Sequence, residues 1–289
     1  MRIAPAILTT VFLIGASVAD AGPASGQFKG KPGVIAPKYA VAYVVRDMRN
    51  PRTTRVELLL TDVPIADDGT LRDALDPHVA AINLDAISKR NYILVWVSSN
   101  GSASMNATFS ATMTQYINDT SDGLRAEFTT NTPTKIEGRL YAPASLKTLD
   151  GETYSVDVKF SADVPRLPAG TPLAAGGGEP GKALTAFLSA ATKKAWPAIK
   201  AGSSPKALTM FDKSYNTPAE NAESAQDLLN AWIPSAKRKI TGGQLRGEVA
   251  ILEVEGEIFE GQLGLSLVKM VKAGSTWQFD QAARVGMLP

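Results

Sequence analysis

Cysteine is missing from this chain and histidine occurs once, at position 78. Without a thiol there are no disulfides, no thiolate metal sites and no lipid-modified N-terminal cysteine. A single histidine leaves a transition-metal site without a second imidazole and a nucleophilic serine without a base nearby. No serine sits in a Gly-x-Ser-x-Gly elbow, and Gly176-Gly177-Gly178 lacks the Lys-Ser/Thr that a phosphate loop needs. An excess of charge of one sign is missing too. Thirty Lys and Arg against 28 Asp and Glu give a net charge of +2, scattered without a basic stripe, so nucleic acid is not an expected partner. The longest uncharged apolar run near the start, Ile7 to Gly15, falls short of the ~20 residues that span a bilayer.

That run has another reading. Arg2 precedes it and Ala19-Asp20-Ala21 follows as a small-x-small site, so residues 1–21 are expected to be a secretory signal peptide cut after Ala21. The thiol-free chain then suits a bacterial periplasm or secretion, with no membrane attachment after cleavage. Residues 22–37 carry Gly and Pro without periodicity and are expected to be a flexible leader.

Residues 38–164 read as β. Tyr39–Val45 and Arg55–Leu60 flank a turn at Asn50-Pro51-Arg52, Tyr92–Val97 is a buried strand, and Asn106–Thr114, Leu124–Thr130 and Lys135–Tyr141 follow. Tyr154, Val156, Val158 and Phe160 alternate with polar residues at period two. Leu71–Ile87 is expected to be a loop with one helical turn, because Pro77 interrupts the helical spacing. Strands this closely spaced predict a sandwich-like domain.

Pro165–Gly181 is dense in Pro and Gly and predicts a linker at 165–181. Beyond it the apolar period becomes helical at Leu184, Phe187, Leu188 and Ala191. Ser204-Pro205 predicts a helix start, and Thr217-Pro218-Ala219-Glu220 predicts a capping box. From Lys237 three apolar runs, punctuated at Gly242-Gly243, Glu260-Gly261 and Ala273-Gly274-Ser275, predict an antiparallel meander. The fold class is therefore α+β: a mostly-β N-terminal domain, a Pro/Gly linker, and helices covering a sheet over 182–289.

That last pattern, ending in Leu267-Val268-Lys269-Met270-Val271-Lys272-Ala273-Gly274-Ser275-Thr276-Trp277, resembles the nuclear transport factor 2-like (cystatin-like α+β cone) superfamily. The resemblance covers residues 182–289 and implies a curled sheet with a hollow under the helices. It also implies that an enzyme of this type would aim a His, Asp or Tyr into that hollow. There is no histidine in this part, so Asp212 and Tyr215, an acid–phenol pair after the second helix, are the catalytic candidates of an isomerase or dehydratase. Trp196, Tyr215 and Trp232 are the candidate lining of a ligand pocket.

The remaining constellations carry weaker chemistry. Glu253, Glu255 and Glu257 share a strand face, which reads as a solvated surface beside a bulge at Gly256 rather than a cation site. His78, near Asp67 and Asp68, reads as a surface-loop histidine; no metal and no cofactor is expected. Asn100, Asn106 and Asn118 match a glycosylation pattern that a bacterial setting leaves unused. The expected function is non-catalytic binding of a small apolar ligand or an envelope protein, with an enzyme and a cell-envelope adaptor as rivals. A homodimer through the C-terminal sheet is the assembly expected if the chain self-associates.

Overall fold

The computed structural model describes residues 21–47, 50–65, 70–98, 101–119, 123–148, 151–166 and 170–289. The expected signal peptide up to Asp20, the Asp67–Asp68 pair and Asn100 lie outside them. The N-terminal region runs β1 (Gly22–Gly30), β2 (Gly33–Ile35), β3 (Tyr39–Asp47), β4 (Asn50–Thr61), α1 (Thr70–Asp73), α2 (Pro77–Ile82), β5 (Tyr92–Val97), β6 (Ala103–Phe109), β7 (Thr114–Asp119), β8 (Arg125–Thr132), β9 (Lys135–Tyr141), β10 (Leu146–Lys147) and β11 (Thr153–Asp163). These strands form one antiparallel sheet in the order β7-β6-β5-β4-β3-β1-β11-β9-β8, with β2 on β1 and β10 on β11.

The sheet turns over at β1. Gly22 and Pro23 pair with β3, and then Ala24 to Lys29 pair with β11. Both halves thereby point inward: Leu58, Leu60, Ile93 and Val95 share one core with Leu140, Val156, Val158 and Phe160. The mostly-β reading of this region holds. The leader reading of residues 22–37 does not, because β1 is the strand that joins the two halves. Its glycines permit close approach: a Cβ on Gly26, at φ +95°, would lie 2.1 Å from the carbonyl oxygen of Asp157.

Three local readings also change. Asn50-Pro51-Arg52 begins β4 and is not a separate turn. The single strand expected over Asn106–Thr114 is two, β6 and β7, turning through Met113 at φ +55°. Pro77 starts α2 instead of interrupting it, with the Asp76 side chain accepting from the Val79 amide at 3.1 Å as N-cap. Helices α1 and α2 cover the outer face of β3, β4 and β5, where Val41, Tyr43, Val45, Leu59 and Leu94 form a second small core with Leu71 and Ala81.

The C-terminal region runs β12 (Thr171–Leu173), α3 (Gly178–Thr192), α4 (Trp196–Ala201), α5 (Pro205–Phe211), α6 (Pro218–Trp232), β13 (Ala236–Arg246), β14 (Val249–Phe259), β15 (Gln262–Ala273) and β16 (Thr276–Met287). The five strands pair antiparallel in the order β12-β13-β14-β15-β16. Both predicted helix starts are present. The Thr217 amide donates to Glu220 at 2.7 Å while the Glu220 amide donates to the Thr217 hydroxyl at 3.3 Å; Ser204 accepts from the Ala207 amide at 3.1 Å.

The expected linker is partly built. Residues 171–173 pair with β13, and Gly176, Gly177 and Gly178 all hold positive φ (86°, 66° and 59°), a left-handed run that leads into α3. Gly242-Gly243 is likewise no turn: it lies inside β13 where the register slips, and the chain reverses at Gly247, φ +58°. Gly256 faces a bulge in β13, where the register slips between Ala236 and Lys239, and it is also a point of close contact: a Cβ there would come within 2.7 Å of Pro234.

Candidate functional site

The helices of the C-terminal region close over the sheet around a filled interior. Phe187 and Phe279 stack with centroids 4.8 Å apart and planes 8° from parallel, and Phe211 lies 5.9 Å from Phe279. Leu184, Ile199, Leu229, Leu252, Val254, Val268 and Met270 fill the rest. The residues nominated for chemistry do not converge there. Asp212 ends α5, where it pairs with Lys200 at 3.2 Å and accepts from Asn221 at 3.0 Å. Tyr215 is 83% exposed. Trp196 and Trp232 are half-buried and pack against the apolar core; Trp232 sits 6.5 Å from Phe211. The acid–phenol pair therefore has no shared hollow to act in, and the three aromatic candidates do not line one pocket.

The acidic run also differs from the solvated face expected of it. Glu253 meets Arg46 at 2.6 Å, Glu255 meets Arg52 at 2.9 Å and Glu257 meets Lys237 at 3.2 Å. The first two arginines belong to the β3–β4 hairpin, so these pairs join the two sheets. Leu265 and Leu267, register partners of Glu255 and Glu253, are buried on the same face. That part of the C-terminal sheet is occupied within the chain.

Sequence reasoning missed a buried polar centre in the N-terminal region. Tyr43, Glu57 and Trp96 are register partners on β3, β4 and β5, and so stand side by side on one face. Glu57 is fully buried; Arg55 reaches Oε1 at 2.9 Å and Nδ1 of His78, on α2, lies 2.9 Å from Oε2. Arg55 also lies over the Trp96 ring, 5.6 Å from its centroid. The hydrogen bond to Glu57 raises the His78 imidazole above its usual range, against an opposing effect of burial. Burial first, then the neighbouring Glu57 carboxylate, push the Tyr43 phenol well up. His78 is thus no surface-loop residue. It is a partner that neutralises a buried acid, and the register that brings these groups together is not visible in linear spacing. Both Glu57 oxygens are engaged, which marks the cluster as a structural pin rather than an open reaction centre.

An open feature lies elsewhere, beside α3. A groove of about 690 Å³ runs between that helix and the start of β13. Its floor includes Leu188 and Ile240 with Thr185 and Thr192, whose hydroxyls are turned back onto the helix carbonyls of Gly181 and Leu188 at 2.9 Å each. Its rim holds Lys182, Arg238 and Lys239, and no carboxylate lines it. Arg238 Nε donates to the Pro234 carbonyl at 2.6 Å, and burial lowers its pKa. The groove exists because β12 is short: it covers β13 only at Gly243, Gln244 and Leu245, and Gly176 then donates to the Ile240 carbonyl at 3.0 Å. Among the described residues no strand covers Ala236–Lys239 on that side. The Lys237-Arg238-Lys239 triplet could have flagged a basic edge, but not the helix beside it.

Among the described residues no helix is long and apolar enough to cross a membrane, and no group of His, Cys, Asp and Glu is arranged to hold a metal ion. Comparison with family models, with curated proteins and with solved structures finds no match.

Proposed function

We propose that this chain is a secreted or periplasmic binding protein without catalytic activity of its own, and that the α3–β13 groove is where it meets its ligand. In this reading the C-terminal region is a nuclear transport factor 2-like cone whose hollow is closed by its own phenylalanines. The observation that carries the reading is the contrast between that filled interior, stacked at Phe187 and Phe279, and the open basic-rimmed groove outside it. A binding groove of this size falls within the ~300–1,000 Å³ typical of ligand sites, and here its apolar floor and convergent cations give both contact area and orientation.

The test is a thermal-shift screen of the purified protein against small anions, lipids and peptides, repeated on Arg238→Gln. A hit that raises the melting temperature of the wild type and is lost in Arg238→Gln supports the reading. Hits that are indifferent to Arg238 and sensitive to Trp196 or Trp232 overturn it. The isomerase or dehydratase reading has no comparable support, since Tyr215 lies in solvent and Asp212 is engaged by Lys200 and Asn221.

A further inference from the structure

The groove has a helix on one side and the uncovered edge of a β-strand on the other, and that pairing suits one kind of occupant. We infer that the α3–β13 groove takes an extended, acidic segment of another protein, which adds to the sheet as a strand beside Ala236–Ile240, in line with β12. This inference rests on the binding reading above and names its ligand class.

Three observations converge on it. First, β12 already shows how this edge is used: it pairs antiparallel at Gly243 to Leu245 and then leaves, and Gly176 makes the last bond, to Ile240. The edge beyond Ile240, through Lys239 to Ala236, is uncovered among the described residues; it bulges at Lys237-Arg238, with Lys237 at φ +50°, so the main-chain groups open to an added strand lie on either side of that bulge. A peptide backbone recognises such an edge by main-chain hydrogen bonds, independent of its own sequence. Second, the side chains of an added strand would alternate between the two faces of the sheet. The α3 face offers Leu188, Ile240 and the methyl sides of Thr185 and Thr192, which suits a β-branched or aliphatic residue, with Arg238 and the Glu179-bound Lys182 at its margin. The opposite face carries Lys239, the register partner of Glu255, which suits a carboxylate on the alternate positions. Third, the charge argues against a second copy of this chain. Pairing β13 with itself would bring two Lys237-Arg238-Lys239 runs together, and like charges directly opposite each other destabilise a strand pair. The same basic run that guards the edge from its own kind leaves it open to an acidic strand.

The probe is a fluorescein-labelled octapeptide alternating valine and glutamate, read by fluorescence anisotropy with the purified full chain. Three comparison peptides accompany it: lysine in place of each glutamate, alternate backbone amides N-methylated, and the same composition scrambled to break the alternation. The glutamate peptide is expected to bind, with each comparison peptide at least tenfold weaker. Lys239→Glu, whose fold is checked by circular dichroism because its register partner is Glu255, and Arg238→Gln are each expected to weaken it at least fivefold. Equal binding of the N-methylated peptide overturns strand addition, leaving a merely anionic contact. Equal binding of the lysine peptide overturns the charge argument. Peptide-free dimerisation that Lys239→Glu strengthens, with no peptide binding, overturns the choice of occupant. If no peptide binds but the thermal-shift screen yields an Arg238-dependent small molecule, the strand inference falls and the binding reading stands; if neither occurs, both fall.

Discussion

Arg46 at the end of β3 reaches Glu253 in the middle of β14, its Nη2 2.6 Å from a carboxylate oxygen of a residue more than two hundred positions away. Arg52 repeats the contact with Glu255 one strand step along. Two arginines from one hairpin thus grip two acids on the helix-free face of the other sheet, with Leu265 and Leu267 buried beside them. The pairs are partly exposed, so each contributes about 0.2–1 kcal/mol, and salt weakens both. Replacing both acids, Glu253→Gln with Glu255→Gln, is expected to lower stability by about 1 kcal/mol in dilute buffer and by less near 1 M salt, where the Debye length falls to about 3 Å. Leu265→Ala is expected to cost more, about 3 kcal/mol, because it removes buried apolar contact and leaves a cavity, and that loss does not shrink at high salt. Denaturant titration of the three proteins at both ionic strengths separates the contributions.

The pin at Glu57 makes a prediction with a sign. His78 bonded to Glu57 has a pKa above the ordinary 6.5. Its contribution to stability is therefore fully present below 6.5 and is lost as pH rises through the raised folded value. The protein is expected to become modestly less stable from about pH 6 to about pH 9, modestly because the imidazole is partly solvated. His78→Gln is expected to flatten that slope. Glu57→Ala, which strands Arg55 and His78 without their acid, is expected to cost about 3 kcal/mol. Urea melts across this pH range read both effects.

A second buried acid is held from the C-terminal side. Ser204 caps α5 and its hydroxyl donates to Asp280 at 2.7 Å, while Lys269 stands 3.6 Å from the same carboxylate. Ser204→Ala removes the cap and one partner of a nearly buried Asp280, so about 2 kcal/mol is expected to be lost. Circular dichroism melts of this variant beside Thr217→Ala, an exposed cap expected to cost about 1 kcal/mol, test whether the buried bond accounts for the difference.

Gly177 tests the ordered part of the expected linker. At φ +66° and with Leu252 Cδ2 2.7 Å from where a Cβ would stand, Gly177→Ala is expected to cost about 2 kcal/mol, from backbone strain and a clash with the core. Gly247→Ala, also at positive φ but with nothing within 4 Å, is expected to cost only the strain, about 1 kcal/mol. Parallel unfolding curves measure the gap.

What could be read in advance followed local rules. The period-two run from Tyr154 to Phe160, the capping box at Thr217 and the helical stripe at Leu184 and Phe187 each declare their state within a few residues, and each is present. Glycine misled three times: at Gly26 and at Gly176–Gly178, because close approach and left-handed backbone leave the same trace in a sequence as flexibility does, and at Gly242-Gly243, because a register slip inside a strand reads like a turn. The polar centre was hidden for another reason. Glu57 sits in an apolar run, and its neighbours Tyr43, Trp96 and His78 arrive by strand register and by a helix laid across the sheet. The groove depends on where β12 stops, a boundary that no composition signal marks.

Hydrogen exchange with and without the valine–glutamate octapeptide locates its binding site. Added protection is expected only at the amides of Ala236–Ile240 and the facing turns of α3, with Trp196, Tyr215 and Trp232 unchanged. Protection that appears around those three aromatic residues while β13 stays as it was would contradict that placement.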